Sequence, residues 1–174
     1  MLLDGKVALG TGAGQGVGQG IALALAAEGA KVAVTGRTAE KLKATRDLIA
    51  GRGGEALPVV CDVKSADSLE QCLSQVLAQF GTLDILVNNA QEVPLGTLDQ
   101  VTDETFANGW ESGPLATFRM MKLCRPHLSG GGCIINLASS AGKRWDMTGY
   151  GAYAATKEAI RSLTRAAACE WGPE

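Results

Sequence analysis

The sequence predicts an α/β protein built on a doubly wound parallel sheet of the Rossmann type, with helices on both faces. Short runs rich in Val, Ile and Leu alternate with longer segments of helical periodicity, the pattern of repeated βαβ units. A glycine-rich turn follows the first apolar run directly. Because 174 residues, 46% of them hydrophobic, suffice for one domain, residues 1–174 are predicted to form a single domain.

Five parallel strands are expected, because each run is apolar enough to be covered on both faces. The predicted strands are Val7–Gly10, Val32–Thr35, Leu57–Cys61, Ile85–Asn88 and Cys133–Leu137. Right-handed crossovers between them give the strand order 3-2-1-4-5. Ligands of such a sheet bind beyond the carboxyl ends of the strands where the winding direction reverses, here the first and the fourth.

Helices are predicted between the strands. Apolar residues recur at helical spacing between Ser65 and Phe80, and Ser65 stands where a capping residue is expected. Another helix is expected to begin near Ile21. A third, capped by Thr38, ends at the glycines of Gly51–Gly54.

The composition excludes several classes of function. With 16 Lys and Arg against 18 Asp and Glu the net charge is −2, so nucleic acid is not an expected partner. No apolar stretch reaches the roughly 20 residues that cross a bilayer, and the first residues do not resemble a signal peptide. We therefore expect a cytoplasmic protein without membrane contact. The five scattered cysteines are expected to be small buried hydrophobes rather than disulfides or metal ligands.

The glycine-rich turn predicts a phosphate-binding site. It has the spacing G-x-x-x-G-x-G at Gly12, Gly16 and Gly18, with Val17 between the last two glycines. Gly12 permits a tight turn, Gly16 lets a pyrophosphate approach backbone N–H groups at a helix N-terminus, and Gly18 allows that helix to pack closely. The alternative is a merely flexible loop. With a strand before it and a helix after it, the turn indicates a dinucleotide-binding domain.

Residues after the second and third strands bear on the choice of dinucleotide. Gly36 occupies the position of an acidic residue that would bind a ribose 2′-hydroxyl, and Arg37 offers a cation to a 2′-phosphate. NADP is therefore favoured, with NAD as the other possibility, although Arg37 could instead be a solvated surface residue. Asp62, followed by Val63, could accept a hydrogen bond from an adenine amino group or serve only in a turn.

Tyr153 and Lys157 lie one helical turn apart on the same face of a predicted helix. A phenol has a reference pKa near 10, so it acts as an acid or base at neutral pH only where a nearby cation stabilises the phenolate. Lys157 is placed to be that cation. The predicted fifth strand also leads into Ser139 and Ser140, whose hydroxyls belong to the same end of the sheet.

With these pieces the sequence resembles the short-chain dehydrogenase/reductase family from Lys6 to its last residue. The matching motifs are the Gly12, Gly16 and Gly18 turn, Asn88-Asn89-Ala90 after strand four, Ser139 after strand five, and Tyr153-x-x-x-Lys157.

The resemblance implies an NAD(P)-dependent oxidoreductase that interconverts an alcohol and a carbonyl compound. Tyr153 would exchange a proton with the substrate oxygen, and Lys157 would assist it and bind the nicotinamide ribose. Ser139, or alternatively Ser140, would hydrogen-bond the substrate carbonyl. Asn89 and Ala90 would line the cofactor crevice. The resemblance also implies a homodimer or homotetramer.

The sequence departs from the family at several positions. Gln91 stands where the family usually has glycine, and Gly113 where it has a fourth catalytic residue, an asparagine. Because Pro114 has no N–H to donate to the carbonyl of Trp110, this carbonyl is a candidate to hold the relay water instead. The alternative is a helix break with impaired catalysis.

The resemblance stops before the family's sixth and seventh strands. The domain is therefore expected to be truncated at its C-terminal end, unless disordered residues follow that the sequence omits. These departures keep two other functions open: a cofactor-binding interaction protein without turnover, and a structural role independent of nucleotide. Arg144 and Trp145, in the loop before Tyr153, are expected either to contact substrate or to pack within the loop.

Overall fold

The computed structural model describes residues 1–128, 130–144 and 146–172. It contains a five-stranded sheet in the order β3-β2-β1-β4-β5, which confirms the predicted order. The strands are β1 Val7–Thr11, β2 Lys31–Gly36, β3 Ala56–Val60, β4 Ile85–Asn88 and β5 Cys133–Asn136. Pairing is parallel, and Leu9 in β1 lies opposite Ala33 in β2 and Leu86 in β4. Each predicted strand agrees with the observed one to within one residue at either end.

Six α-helices follow the strands in the described residues. They are α1 Gly16–Ala27, α2 Ala39–Ala50, α3 Ala66–Phe80, α4 Asp103–Trp110, α5 Ala116–Cys124 and α6 Gly151–Trp171. A π-helical turn, Glu111–Leu115, joins α4 to α5, and short 3₁₀ turns cover Arg125–His127 and Ser140–Lys143. Among the described residues no helix has the length and apolar character that a bilayer crossing needs.

Helix termini follow the sequence prediction in part. The Ser65 hydroxyl accepts a hydrogen bond from the Ser68 N–H at 3.2 Å and caps α3 as predicted. Thr38 occupies the N-cap position of α2, but its side chain makes no capping bond. Helix α1 begins at Gly16 rather than near Ile21, because the glycines themselves form its first turn.

The chain divides into two compact units. The first comprises Met1–Ala90 and Arg119–Ile135, and it holds the sheet up to Ile135. The second comprises Gln91–Phe118 and Asn136–Glu174, and it holds α4, the π-turn and α6.

The first unit has its core on the central strands. Every residue of β1 is buried, as are Val32 and Val34 of β2 and Leu86 of β4. Helix α3 adds an apolar face of Leu69, Cys72, Leu73 and Val76.

The prediction that the cysteines are buried holds for three of the five. Cys61, Cys72 and Cys124 are buried, whereas Cys133 and Cys169 are exposed, so for these two the prediction is wrong. Cys133 opens β5, which is the last strand at one edge of the sheet and is only partly covered.

Candidate active site

The glycine-rich turn in the first unit adopts conformations that only its glycines tolerate easily. Gly12 has φ +65° and Gly16 has φ +56°, both in the left-handed region. A Cβ on Gly12 would stand 2.9 Å from the Asn89 side-chain nitrogen, whereas a Cβ on Gly16 would meet no atom within 4 Å. Gly12 therefore forms a tight, packed turn, and Gly16 leaves the backbone open to an approaching ligand.

Hydrogen bonds from the end of β4 hold this turn in place. The backbone N–H groups of Asn89 and Ala90 both donate to the Thr11 hydroxyl at 3.0 Å. The Asn89 side-chain amide donates to the backbone oxygens of Thr11 at 3.0 Å and Gly12 at 3.3 Å. The structure thus brings Gly12, Gly18, Asn89 and Ala90 together within the first unit. Sequence reasoning selected Asn89 through the family resemblance, and the structure shows it positioning the turn.

The start of α1 fits the phosphates of a dinucleotide. Gln15 is its N-cap residue, and the Gln15 side chain makes no capping bond to the first-turn N–H groups. Gly16 and Val17 are exposed, Val17 by 67%. Unbonded N–H groups and the positive end of the helix dipole attract an anion. Gly12, Gly16, Val17 and Gly18 are therefore the residues that would hold the pyrophosphate.

Replacing Gly18 with alanine is expected to impair both folding and dinucleotide binding. An added Cβ would overlap the backbone oxygen of Gly12 and stand 2.5 Å from the Asn89 side-chain nitrogen. We expect Gly18→Ala to lower the free energy of unfolding by about 2 kcal/mol and to raise the Kd for the dinucleotide at least about tenfold. Urea denaturation and calorimetric titration measure the two effects.

Gly20→Ala is the matched control, since a Cβ there meets no atom within 4 Å in the same helix. It is expected to raise the free energy of unfolding by about 0.5 kcal/mol, because alanine is favoured over glycine inside a helix. Similar results for the two variants would contradict the close-packing role of Gly18.

The residues predicted to contact the adenosine half of the dinucleotide lie directly after β2 and β3. Arg37 is exposed directly after β2. The Asp62 carboxylate accepts a hydrogen bond from the Lys64 N–H at 3.0 Å. Asp62 therefore stabilises a turn, which was the alternative role predicted for it. The side chain of Val63 is buried. Adenine recognition by Asp62 and Val63 stays a prediction.

Tyr153 and Lys157 lie together on α6 in the second unit. Lys157 is only 5% exposed, and its ammonium nitrogen lies 5.6 Å from the centroid of the Tyr153 ring. The same nitrogen donates to the backbone oxygen of Leu137 at 2.6 Å. Burial lowers the pKa of Lys157 to about 8. A cation near a phenol ring favours the ionised form of the phenol, which assists proton transfer by a tyrosine.

Ser139 stands at the start of the 3₁₀ turn after β5, in the same unit. Its hydroxyl oxygen accepts a hydrogen bond from the Ala141 N–H at 3.2 Å. The bond uses an acceptor site of the hydroxyl and leaves its proton for another oxygen. Ser140, the alternative, is exposed within that turn. Arg144 pairs with Asp146, whose carboxylate accepts its bonds at 2.7 and 3.1 Å, and Trp145 lies outside the described residues.

The π-turn accounts for the sequence around Pro114. The Ala116 N–H bonds to the Glu111 oxygen five residues earlier, the spacing of a π-turn. The wider turn accommodates Pro114, which has no N–H to donate. A relay water on the carbonyl of Trp110 stays a prediction.

Sequence reasoning missed one contact in the second unit. The Gln91 side chain packs against Gly113 and hydrogen-bonds Thr156 on α6. The signal was present, since Gln91 and Gly113 are both departures from the family pattern. Nothing in the sequence, however, joined two positions 22 residues apart.

Comparison with known proteins agrees with this geometry. Residues 6–174 match the family described as short chain dehydrogenase. A 12alpha-hydroxysteroid dehydrogenase from Clostridium sp. is 42% identical, over 99% of this chain and 70% of the relative. A sorbitol dehydrogenase from Cereibacter sphaeroides is 38% identical, over 96% of this chain and 65% of the relative. The chain thus spans about two thirds of the length of these relatives.

Solved structures give the same result. A short chain dehydrogenase from Burkholderia cenocepacia, in complex with NADP, is 34% identical with a TM-score of 0.95, over 99% of this chain and 71% of that one. A short-chain dehydrogenase/reductase from Serratia marcescens is 33% identical with a TM-score of 0.95, over the same shares of the two chains.

The parallel sheet and its glycine turn define a Rossmann-type dinucleotide-binding protein. The chain belongs to the short-chain dehydrogenase/reductase family, a family of NAD(P)-dependent oxidoreductases that act on small molecules. The fold, the family and the class of oxidoreductase predicted from the sequence are thereby confirmed.

Proposed function

We propose that this protein interconverts an alcohol and a ketone or aldehyde, with Tyr153 as the acid/base, Lys157 as its cation and Ser139 as the hydrogen-bond donor to the substrate oxygen. The observation that carries the proposal is the buried ammonium of Lys157, 5.6 Å from the Tyr153 ring centroid.

In the direction of reduction, each of these residues has one role. Tyr153 donates its hydroxyl proton to the carbonyl oxygen as the C=O π bond breaks, and its own oxygen keeps the electron pair. Lys157 stabilises the phenolate that results. Ser139 donates a hydrogen bond that holds the substrate oxygen. The nicotinamide, when bound, supplies the hydride and so the two electrons that reduce the carbonyl carbon.

NADP is the proposed cofactor. Gly36 places no carboxylate at the end of β2, and the exposed Arg37 guanidinium follows it. An acidic side chain would repel a 2′-phosphate, whereas a guanidinium binds it by charge-assisted hydrogen bonds. The cytoplasmic location, the homodimeric or homotetrameric state and the single-domain organisation stay predictions.

The activity is tested by following NADPH and NADH absorbance with a panel of ketones, aldehydes and alcohols. Turnover of at least one compound is expected. Gly113, in place of the family's asparagine, favours the second candidate, a dinucleotide-binding protein without turnover. Binding of the dinucleotide with no turnover on any compound would support that candidate against the enzyme.

Arg37→Ala tests the cofactor preference. We expect it to raise the Kd for NADPH about tenfold and to leave the Kd for NADH unchanged, because only NADPH carries the 2′-phosphate. Arg52→Ala, another exposed arginine of the first unit, is the control and should change neither Kd. Equal affinity of the unmodified protein for both dinucleotides would contradict the preference.

A further inference from the structure

We propose that the Gln91 side chain occupies the space that a side chain at position 113 would fill, where this protein has Gly113. We further propose that the amide oxygen of Gln91 holds an ordered water, and that this water returns protons towards Tyr153 and Lys157. The inference rests on the proposed function, because it assigns a positioning residue to that reaction.

The first observation is steric. A Cβ built on Gly113 would stand 2.8 Å from both the Cδ and the Nε2 atoms of Gln91. No non-glycine residue fits at 113 while Gln91 keeps its position. Gly113 does not have a positive φ, so glycine is not needed there for backbone conformation. The glycine is therefore explained by Gln91, and the two departures from the family pattern belong together.

Hydrogen bonds fix the Gln91 amide in one orientation. The Thr156 hydroxyl donates its only proton to the backbone oxygen of Tyr153 at 2.7 Å. At its contact with Gln91 this hydroxyl can therefore only accept, so the Gln91 side-chain nitrogen faces it, at 2.6 Å. The bond ties Gln91 to the turn of α6 that carries Tyr153.

The same orientation leaves the Gln91 amide oxygen as a buried acceptor. Among the residues that the structure describes, no protein group donates to this oxygen. The nearby Ser112 is already engaged, since its hydroxyl donates to the Asn108 oxygen at 2.6 Å and accepts from the Glu92 N–H at 2.9 Å. Buried polar atoms nearly always have a hydrogen-bond partner, and water is the smallest donor that can serve here.

The reaction supplies a use for this water. Tyr153 gives up a proton each time a carbonyl is reduced and must regain one before the next turnover. Lys157 follows Thr156 directly in α6 and is 5% exposed, so its ammonium has little direct contact with bulk solvent. A water on the Gln91 oxygen donates one proton to that oxygen and keeps its other proton and its lone pairs for a relay. Gln91 thus acts through the water and not on the substrate.

Three variants test the exchange of positions: Gln91→Gly, Gly113→Asn and the double variant. Gly113→Asn alone is expected to lower the urea midpoint, because its side chain meets Gln91 and forces it to give up its bond to Thr156. Combining it with Gln91→Gly removes the clash, so the double variant should unfold at a higher urea concentration than Gly113→Asn alone. Additive shifts would overturn the exchange. This cycle needs no activity, so it is decided even if the protein proves to have no turnover, which would overturn the proposed function instead.

The water is tested by two further measurements. Gln91→Met keeps the length of the side chain and removes both polar atoms, so the fold should persist. We expect its kcat to fall at least about tenfold, with an altered solvent isotope effect and an unchanged KM for the dinucleotide. Wild-type kcat and isotope effect in Gln91→Met would overturn the relay. A crystal structure should show a water within about 3 Å of the Gln91 oxygen, and a dry oxygen would overturn it independently of turnover.

Discussion

Replacing Tyr153 by phenylalanine is expected to lower kcat by about 10³-fold, because the ring remains and only the hydroxyl that transfers the proton is lost. General acid–base catalysis contributes roughly 10²- to 10⁴-fold to enzymatic rates. The Kd for the dinucleotide should stay within about twofold of the wild-type value, since the glycine turn predicted to bind phosphate belongs to the other unit of the chain. Initial rates and calorimetric titration on the same preparation measure both quantities.

Tyr150 provides the matched control for this prediction. Its ring lies 6.3 Å from that of Tyr153 in an edge-on contact, at the N-cap position of α6. Tyr150→Phe therefore makes the same chemical change next to the proposed site and should keep most of the activity. An equal loss in both variants would show that the region is sensitive to any change, and would contradict a specific role for the Tyr153 hydroxyl.

Lys157→Met is the second substitution with a large expected effect. It removes the cation near the Tyr153 ring and keeps a side chain of similar length, so kcat should fall by at least about 10²-fold. The ammonium is buried and donates to the backbone oxygen of Leu137, which carries no full charge. The buried positive charge of Lys157 therefore lowers the free energy of unfolding. Removing this charge should not unfold the protein.

The pH dependence of stability measures this cost. The pKa of Lys157 is lowered by burial from 10.5 to about 8, so between these values the folded protein binds fewer protons than the unfolded chain. Stability must then rise with pH across this window. We expect the free energy of unfolding contributed by this group to increase by about 2 kcal/mol between pH 8 and pH 10.

Lys157→Met should abolish that increase, whereas Lys43→Met, at an exposed lysine of α2, should retain it. Urea denaturation of the three proteins at several pH values makes the comparison. A slope that is the same in Lys157→Met and in the unmodified protein would show that Lys157 is not the group responsible.

Local signals in the sequence were enough to predict the frame of the molecule. Apolar runs bounded by glycine and polar residues located five strands, because strands covered on both faces tolerate few polar side chains. The simplest doubly wound arrangement with right-handed crossovers then gave their order. The left-handed conformation of Gly12 agrees with the tight turn predicted there, whereas the left-handed conformation of Gly16 was not predicted.

Features that depend on contacts between distant residues were not predictable. Hydrophobic periodicity placed the start of α1 near Ile21, because glycines carry no hydrophobic signal. The exposure of Cys133 depends on which strand lies at the edge of the sheet, which its own sequence does not reveal. Likewise, Gln91 and Gly113 are explained by each other only once the π-turn brings them into contact.

Transfer of deuterium is the most direct measurement of the proposed chemistry. The protein is incubated with NADPH that carries deuterium at the transferable position of C4, together with a carbonyl compound that it turns over. One deuterium on the carbinol carbon of the product for each NADPH oxidised is the expected result, and Tyr153→Phe should form this deuterated alcohol about 10³-fold more slowly. Oxidation of NADPH without deuterium in any alcohol, or formation of the deuterated alcohol by Tyr153→Phe at the wild-type rate, would contradict hydride transfer assisted by this tyrosine.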